Sequence, residues 1–385
     1  LTIIKRGNRI YLKIEFSDML YPLKRYNIFV NDVPLFGAYG KEISGKSLDM
    51  TEKIELTTGQ NKIEISCMNE KGAESYRALT MASWNPPTSP FNKGGTEEGF
   101  KPDLYYIGFG VSKYKDSKLN LQYAHKYAKD LGDIYSKMKD QYGNIYTKSY
   151  INEECTVENI KKAKDLLKNA KPDDTFVLFI AGHGIHDTDK EATYYFVTHE
   201  TDITNLSQTA ANFDIIEDIL QGIPPRNKLF LMDTCESGEI DDDIQAEYFT
   251  MADNRGIKSR AIETERALKK KDDSSKKKTK RAYLFEKDRY IYNDLVRRSG
   301  AIVFSSCKGG EFSYESDKVR NGFFTSKIIE SLKGQTSDTD KDGKISVDEL
   351  KNYVITEVPK LADGKQNPTV DRDNIYQKFG FLTVK

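Results

Sequence analysis

From residue 104 onward the chain alternates short apolar runs with segments of helical periodicity, and this alternation constrains the fold more than any other feature. The runs LYYIGFGV, NIYTKSYIN, TFVLFIA, KLFLMD and SGAIVFSS are typical of strands, and apolar residues recur at helical spacing between most of them. Strands joined through helices form parallel sheets by right-handed crossovers. The sequence therefore predicts an α/β fold with a mostly parallel central sheet.

The first part of the chain has a different pattern. Residues 1–85 contain short alternating runs such as RIYLKIEF and KIEISCM, separated by turn signals. This pattern predicts a small all-β domain, an immunoglobulin-like sandwich. Residues 86–100 are rich in Pro and Gly and are predicted to be a linker, and residues 101–385 are predicted to form the α/β domain.

A second break interrupts the α/β pattern at about residues 247–290. Nine Lys or Arg residues fall between Arg266 and Arg281, with few aliphatic side chains nearby. Such a segment is expected to be a solvated, mobile linker.

Composition excludes several classes of protein. The formal net charge is zero, which argues against a general binder of nucleic acid or anionic membranes. The apolar runs are too short to cross a bilayer, and the first residues lack the apolar core of a signal peptide.

The chain begins at Leu1 rather than Met, so the N-terminus looks truncated. The four cysteines form no CxxC pair and are interpreted as reduced thiols. A cytoplasmic location is expected.

Two of the predicted strands end in reactive side chains. His183 follows TFVLFIAG, and Cys235 follows KLFLMDT about fifty residues later. An imidazole within hydrogen-bond reach of a thiol raises the thiolate fraction and can later protonate a leaving amine. Gly184 gives the backbone room to direct its N–H at an oxyanion, with the N–H of Cys235 as the second donor. Either residue alone is compatible with ordinary core packing, whereas the pair predicts a nucleophile and its base.

Four further residues compete for these roles with weaker support. His186 follows the GHG sequence and is expected to be exposed to solvent, and Cys307 ends the fifth strand, where it could flank a pocket. His125 and His199 have no supporting context.

The sequences GHG at 182–184 and DTCESGE at 233–239, each after a hydrophobic strand, resemble the caspase-like cysteine peptidases, especially the metacaspase and prokaryotic caspase branch. The resemblance covers about residues 101–385. It implies a three-layer sandwich in which His183 is the base, Cys235 the nucleophile, and the amides of Gly184 and Cys235 the oxyanion hole.

The resemblance also implies that residues 101–246 and 291–385 correspond to the large and small subunit portions of the family. Many members are cut at the junction between them, so the chain is expected to be a zymogen that processes itself in the basic linker. The expected cleavage region contains Lys269, Lys270, Lys271, Lys276, Lys277, Lys278, Lys280 and Arg281.

The resemblance also implies where specificity arises: in this family the residue two positions before the nucleophile contributes to the pocket for the residue that precedes the scissile bond. Animal caspases, which cut after Asp, have QAC there, whereas this chain has Asp233, as metacaspases do. A carboxylate in a partly desolvated pocket selects Arg or Lys; alternatively, Asp233 only binds loop amides. Tyr127 occupies the position of a second family acid, which leaves the choice between Arg and Lys open, and Glu311 is a candidate for a second negative charge.

An acidic loop at residues 338–349, DTDKDGKISVDE, fits the calcium loop D-x-D-x-D-G-x-I-x-x-x-E between two helical patterns. The expected ligands are Asp338, Asp340, Asp342, the carbonyl of Lys344, Ser346 and Glu349. The alternative is a metal-free acidic turn that caps the second helix. A second acidic cluster, at residues 241–243, is expected to be a solvated loop.

Together these features predict a cysteine endopeptidase that cleaves polypeptides after Arg or Lys. Calcium, regulatory or structural, is the predicted cofactor, and the chemistry itself requires none. Two alternatives remain: a catalytically silent caspase-like scaffold with a protein partner bound through the β-sandwich domain, and a calcium-binding interaction module. Neither nucleic acid nor a membrane is expected as a partner.

Overall fold

The computed structural model describes residues 2–86, 100–187, 193–236, 257–259, 295, 297–308, 311–317, 320–334, 336–371 and 378–384; for residues 235, 236 and 257–259 it describes the backbone alone. The predicted linker 86–100 therefore lies almost wholly outside the described residues. The same is true of the basic cleavage region and of the acidic cluster at 241–243.

The N-terminal region consists of strands paired antiparallel in two sheets that share one apolar core. Alternating side chains such as Ile10 and Leu12 on one sheet and Ile28 and Ile63 on the other are buried between them. The strands are β1 Thr2–Arg6, β2 Arg9–Ser17, β3 Leu23–Val30, β4 Val33–Pro34, β5 Lys41–Glu42, β6 Ser47–Glu55, β7 Gly59–Asn69 and β8 Ala78–Trp84.

The rest of the described chain alternates strands and helices, as the sequence predicts. The strands are β9 Leu104–Gly110, β10 Ile145–Ile151, β11 Thr175–His186, β12 Tyr194–Phe196, β13 Ala211–Asn212, β14 Asn227–Glu236, β15 Ile257–Ser259, β16 Ile302–Ser305, β17 Tyr314–Ser316, β18 Asn321–Gly322, β19 Lys344–Ser346, β20 Thr369–Asp371 and β21 Gly380–Leu382. The α-helices are α1 Ala124–Tyr135, α2 Val157–Ala163, α3 Leu206–Thr209, α4 Phe213–Leu220, α5 Phe323–Leu332 and α6 Val347–Leu361. Short 3₁₀ turns lie at Ser117–Leu119, Asn152–Glu154 and Lys164–Leu167.

The central sheet has the strand order β10-β9-β11-β14-β16-β20. Its first five strands are parallel, and β20 closes one edge antiparallel. Leu178 on one face packs with α2 and α4, whereas Val177 on the other packs with α1, α5 and α6. The three layers confirm the predicted α/β fold. Within the described part of the chain, no helix combines the length and apolarity needed to cross a membrane.

Two local features differ from the sequence prediction. Strand β11 does not end before the GHG sequence but runs through it to His186, because Gly184 still pairs with β14 on one side and with β12 on the other. The segment predicted to be a mobile linker, 247–290, contains the strand β15, which pairs with β17. Its pairing partner lies far away in sequence, so the local charge pattern carried no sign of it.

The β-rich region and the α/β region meet at a polar contact around Arg226. The buried guanidinium of Arg226 donates to the carbonyl oxygen of Glu55 and to Asn61 Oδ1, the latter at 3.4 Å. Close by, the amide of Thr58 donates to Asp173 Oδ1 at 2.8 Å. These bonds hold the amino ends of β11 and β14 against the connection from β6 to β7.

Lys228, also near the amino end of β14, makes stability depend on pH. Its buried ammonium group donates to the carbonyl oxygens of Leu220 and Ser299 at 2.9 and 2.8 Å. Burial lowers the pKa of Lys228 from 10.5 to about 7. Between these values the unfolded chain holds a proton that the folded chain has released, so the free energy of unfolding contributed by this group rises with pH.

We expect Lys228→Met to remove this dependence. The difference in unfolding free energy between the natural chain and the variant should shift in favour of the natural chain as pH rises from about 7 to about 9. Urea unfolding of both chains measures this difference. A difference that stays constant across the interval would contradict the assignment.

Candidate active site

The carboxyl ends of β11 and β14 bring the two reactive residues of the sequence together. These strands are parallel, and His183 is paired with Cys235 in their register. Neighbouring strands lie about 4.8 Å apart, and paired positions belong to the same face of a sheet. The predicted base and the predicted nucleophile therefore occupy adjacent positions at one edge of the sheet.

His183 is held by the loop that follows β9. Its Nε2 lies 2.9 Å from the carbonyl oxygen of Leu119, and its backbone N–H donates to Tyr114 Oη at 3.1 Å. The side chain is 2% exposed. A carbonyl oxygen can only accept, so Nε2 carries the proton, and Nδ1 is the acceptor nitrogen of the neutral ring. The loop thus fixes both the position and the tautomer of the imidazole.

Both glycines of the GHG sequence are required by nearby tyrosine hydroxyls. Gly182 has a φ of +152°, and a Cβ there would lie 2.9 Å from Tyr114 Oη. A Cβ on Gly184 would collide with the hydroxyl of Tyr194, whose oxygen lies 2.7 Å from Thr234 Oγ1. Tyr194 therefore packs across the ends of β11 and β14 only because residue 184 has no side chain.

Asp233 is fully buried beside this edge. Its Oδ1 accepts a hydrogen bond from Ser313 Oγ at 2.9 Å, and its Oδ2 accepts one from Thr325 Oγ1 at 2.6 Å. Ser313 immediately precedes β17, and Thr325 lies in the first turn of α5. These two bonds fix the orientation of the Asp233 carboxylate.

A second buried carboxylate, Glu315, lies on β17 two residues after Ser313. Its Oε2 accepts a hydrogen bond from Tyr127 Oη at 3.0 Å, and its Oε1 accepts one from the amide of Gln122 at 3.2 Å. Residues two apart along a strand share one face, which places Glu315 on the side of β17 that also carries Ser313. Sequence reasoning missed Glu315, although the alternation of FSYES could have indicated it.

Glu311, which the sequence suggested as a second negative charge for the specificity pocket, has a different environment from Glu315. Its Oε2 accepts a hydrogen bond from the backbone of Asn367 at 2.7 Å, and its Oε1 accepts one from the Asn367 side chain at 2.9 Å. These bonds connect the loop after β16 to the segment before β20. The structure therefore brings Glu315, rather than Glu311, together with Tyr127.

The competing residues lie in other surroundings. His186 is half-buried, with its ring 5.3 Å from that of Tyr194, so the expectation of an exposed side chain is wrong. Burial lowers the pKa of His125, and His199 contacts the carbonyl oxygen of Lys113 at 2.7 Å. Cys307 is buried, with its sulfur 3.8 Å from the carbonyl oxygen of Thr234.

The acidic loop between α5 and α6 could hold a metal ion. Asp338, Asp340 and Asp342 each offer an oxygen, and these oxygens lie within 4.8 Å of one another. Asp338 Oδ1 is buried and has no hydrogen-bond partner among the described residues, which suits a cation ligand. Within the loop, β19 pairs with β21, so strand β21 supports the second half of the loop.

Glu349, at the last position of the loop, also caps helix α6. Its Oε2 accepts hydrogen bonds from Ser346, and its Oε1 accepts hydrogen bonds from Thr339. Burial acts in the opposite direction, but these bonds lower the pKa of Glu349 to about 2. Glu349 is therefore ionised at neutral pH, as a cation ligand must be.

Comparison with known protein families shows the class to which this fold and site belong. Residues 108–379 match the family described as Caspase domain, so the chain belongs to that family. Membership indicates a cysteine peptidase whose substrates are polypeptides. It confirms the caspase-like resemblance, whereas the narrower metacaspase or prokaryotic branch stays a prediction.

No curated protein matches the chain significantly. Among solved structures, the chain is similar to a structural-genomics protein from Geobacter sulfurreducens, with 16% identity and a TM-score of 0.47. That match covers 74% of this chain and 100% of the other.

Proposed function

We propose that the chain is an endopeptidase that uses Cys235 as nucleophile and His183 as base, and that it cuts polypeptides after Arg or Lys. The observation that carries the proposal is the pairing of His183 with Cys235 at the carboxyl ends of two parallel strands. Family membership supports the reaction class.

The mechanism follows from the tautomer of His183. Nδ1 accepts the thiol proton as the Cys235 sulfur attacks the scissile carbonyl carbon, and the amides of Gly184 and Cys235 stabilise the oxyanion. The imidazolium then protonates the leaving amine as the C–N bond breaks. Water hydrolyses the resulting thioester, with His183 again accepting a proton. The carbonyl oxygen of Leu119 stabilises the charged imidazolium through Nε2.

Specificity for basic residues is assigned to Asp233, supported by Glu315. A buried carboxylate attracts a guanidinium or ammonium group strongly, because little solvent screens the charge. The second buried acid, Glu315, lies on the side of β17 that also carries Ser313, and it adds negative charge there. An aspartate side chain would be repelled from it.

A labelling experiment tests the proposal. A peptide-like electrophile that ends in Arg is incubated with the full chain, and the modified residue is located by mass spectrometry. We expect an adduct on Cys235 and none on Cys307, together with hydrolysis of fluorogenic peptides that end in Arg or Lys but not Asp. Absence of both adduct and hydrolysis, with and without calcium, would instead favour the silent scaffold.

We further propose that the acidic loop binds calcium, with Asp338, Asp340, Asp342, the Lys344 carbonyl, Ser346 and Glu349 as ligands. The buried, unbonded Oδ1 of Asp338 and the close approach of three carboxylates support this. Calcium prefers six to eight oxygen ligands of this kind. Glu349 would exchange its capping bonds for the ion, which couples binding to the start of α6.

Removing charge from the loop should weaken calcium binding. We expect the double variant Asp338→Asn, Asp340→Asn to lower calcium affinity by about tenfold or more, since affinity depends on the number of charged ligands. Calorimetric titration measures the affinity, and peptide hydrolysis with and without calcium shows whether the ion regulates activity. The exposed Asp140→Asn is the matched control. Equal affinities in all three chains would contradict the site.

A further inference from the structure

A cleft of about 190 Å³ opens on a sheet face that points away from the core of the N-terminal region. Along β3 the side chains of Ile28 and Val30 are buried in that core. The alternate residues Asn27 and Phe29, which line the cleft, therefore belong to the opposite face. Another wall comes from the α/β region, from residues 297–298 just before β16. The cleft thus lies between the two regions, and none of the described residues that line it belongs to the candidate active site.

Arginine is the main charged residue of this cleft. Among the described residues that line it, Arg25, Arg77, Arg297 and Arg298 are cationic, and Glu74 is the single acid. The four arginines come from distant parts of the sequence, so the fold brings them together. A cleft lined mostly by charges of one sign concentrates ions of the opposite sign. The composition of the lining therefore favours an anionic ligand.

The walls of the cleft hold two of the guanidinium groups in place. The guanidinium carbon of Arg77 lies 3.7 Å from the centre of the Phe29 ring, and Arg25 Nη1 donates to the carbonyl oxygen of Tyr39 at 3.3 Å. A guanidinium group carries its N–H donors in its own plane, so stacking on a ring leaves the donors at its edge available. Side chains that are already ordered lose less conformational entropy when a ligand binds.

Two of the arginines also form long ion pairs with acids that do not line the cleft. Arg77 Nη1 lies 3.7 Å from Glu64 Oε2, and Arg298 Nη1 lies 3.8 Å from Glu217 Oε2. Both separations exceed hydrogen-bond distance. The same oxygen of Glu64 lies closer to Lys62 Nζ, at 3.0 Å. An anion that approached these guanidinium groups to about 2.7–2.9 Å would be a stronger partner than either acid.

The size of the cleft and the kind of cation favour phosphate. The planar fork of arginine matches the oxygens of a phosphate group bidentately. A diphosphate group places several negative charges in a compact volume, whereas each carboxylate of an acidic peptide brings a single charge. The cleft is smaller than the roughly 300–1,000 Å³ of a pocket for a drug-sized ligand. It therefore suits one compact group, and a larger ligand would extend past Tyr39, which lines the cleft and is 71% exposed.

We propose that this cleft binds the diphosphate group of a small phosphorylated molecule, between Arg25 and Arg77 of the β-rich region and Arg297 and Arg298 of the α/β region. The site does not depend on the proposed peptidase function. A free diphosphate and a nucleoside diphosphate share this chemistry, and the base of the second would stack on the exposed ring of Tyr39. Because the ligand contacts both regions of the folded chain, it raises the unfolding temperature.

Calorimetric titration of the full chain tests the class of ligand. Metal ions are removed beforehand, because calcium itself binds pyrophosphate, and the probes are pyrophosphate, ADP and a tri-glutamate peptide. We expect pyrophosphate or ADP to bind about tenfold or more tightly than tri-glutamate. Tighter binding of ADP than of pyrophosphate would identify a nucleotide, and equal or weaker binding of ADP would identify the diphosphate alone. No binding of either, or equal affinity for tri-glutamate, would overturn the proposal.

Variants of exposed arginines test the location of the site. The variant Arg77→Gln, Arg297→Gln removes one cation from each region, and the control Arg6→Gln, Arg9→Gln removes the same charge from the other sheet. We expect the first variant to lower the affinity for the tighter of the two phosphate probes about tenfold or more and to lose the rise in unfolding temperature, whereas the control keeps both. Arg77→Lys, Arg297→Lys keeps the charge but not the bidentate fork, so it should have an intermediate affinity even if the Gln variant is unstable. Equal affinities in the natural chain and in both Arg77 and Arg297 variants would reject the assignment.

Discussion

Cys235→Ala is expected to lower kcat for peptides ending in Arg by about 10⁴-fold or more, because no thioester can form without the sulfur. His183→Ala should have an effect of similar order, since the thiol then lacks its base. The two losses should not add in the double variant, because the two residues act as one unit. Fluorogenic hydrolysis with active-site titration measures all three chains.

Two other cysteine variants serve as comparison. Cys67→Ala makes the same chemical change in the N-terminal β-rich region and should leave kcat unchanged, with thermal unfolding used to verify the fold. Cys307→Ala tests a second cysteine beside the end of β14, whose sulfur contacts the Thr234 carbonyl. Loss of activity in Cys307→Ala together with activity retained in Cys235→Ala would transfer the nucleophile to Cys307.

Asp233→Asn is expected to lower kcat/KM for peptides ending in Arg or Lys by roughly a hundredfold or more, because a neutral amide cannot pair with a buried cation. The amide also cannot accept both hydroxyl bonds, from Ser313 and Thr325, so some loss of stability should accompany the change. The diagnostic quantity is therefore the ratio of kcat/KM for an Arg peptide to that for a matched neutral peptide.

Asp174→Asn is the control that separates a change in substrate preference from a loss of stability. Asp174 is also buried, and its two oxygens accept hydrogen bonds from the amides of Asp103 and Lys171 at 2.8 and 2.7 Å. This variant should lower the unfolding temperature without changing the preference for Arg. If Asp233→Asn keeps the full preference for Arg, the carboxylate serves only to bind hydroxyls, and the specificity pocket lies elsewhere.

The parts of the fold that local patterns determine could be predicted from the sequence. Buried parallel strands have continuous apolar sequences, and the carboxyl ends of neighbouring parallel strands lie at the same edge of the sheet. His183 and Cys235 could therefore be placed together before their register was known. The acidic loop could be predicted as a candidate calcium site because all its candidate ligands come from one short segment.

The remaining features depend on contacts between distant segments. Leu119 reaches His183 through an irregular loop, and no periodicity indicates which carbonyl will meet the imidazole. Glu311 and Glu315 are both acids near the end of the fifth strand, and only the short strand β17 decides which of them shares a face with Ser313. The pairing of β15 with β17 joins positions more than fifty residues apart, within a segment whose composition indicates only solvation.

Helix α5 connects the surroundings of Asp233 with the acidic loop at residues 338–349. Its first turn carries Thr325, which binds Asp233, and its last residue, Leu332, leads into the acidic loop. Its ten residues span about 15 Å, so Thr325 and the acidic loop lie near opposite ends of the helix. If the loop binds calcium as proposed, any shift of α5 on binding would also move the Thr325 hydroxyl that orients Asp233. Calcium would then change the affinity of the pocket for a basic side chain. The register that pairs His183 with Cys235 would not change.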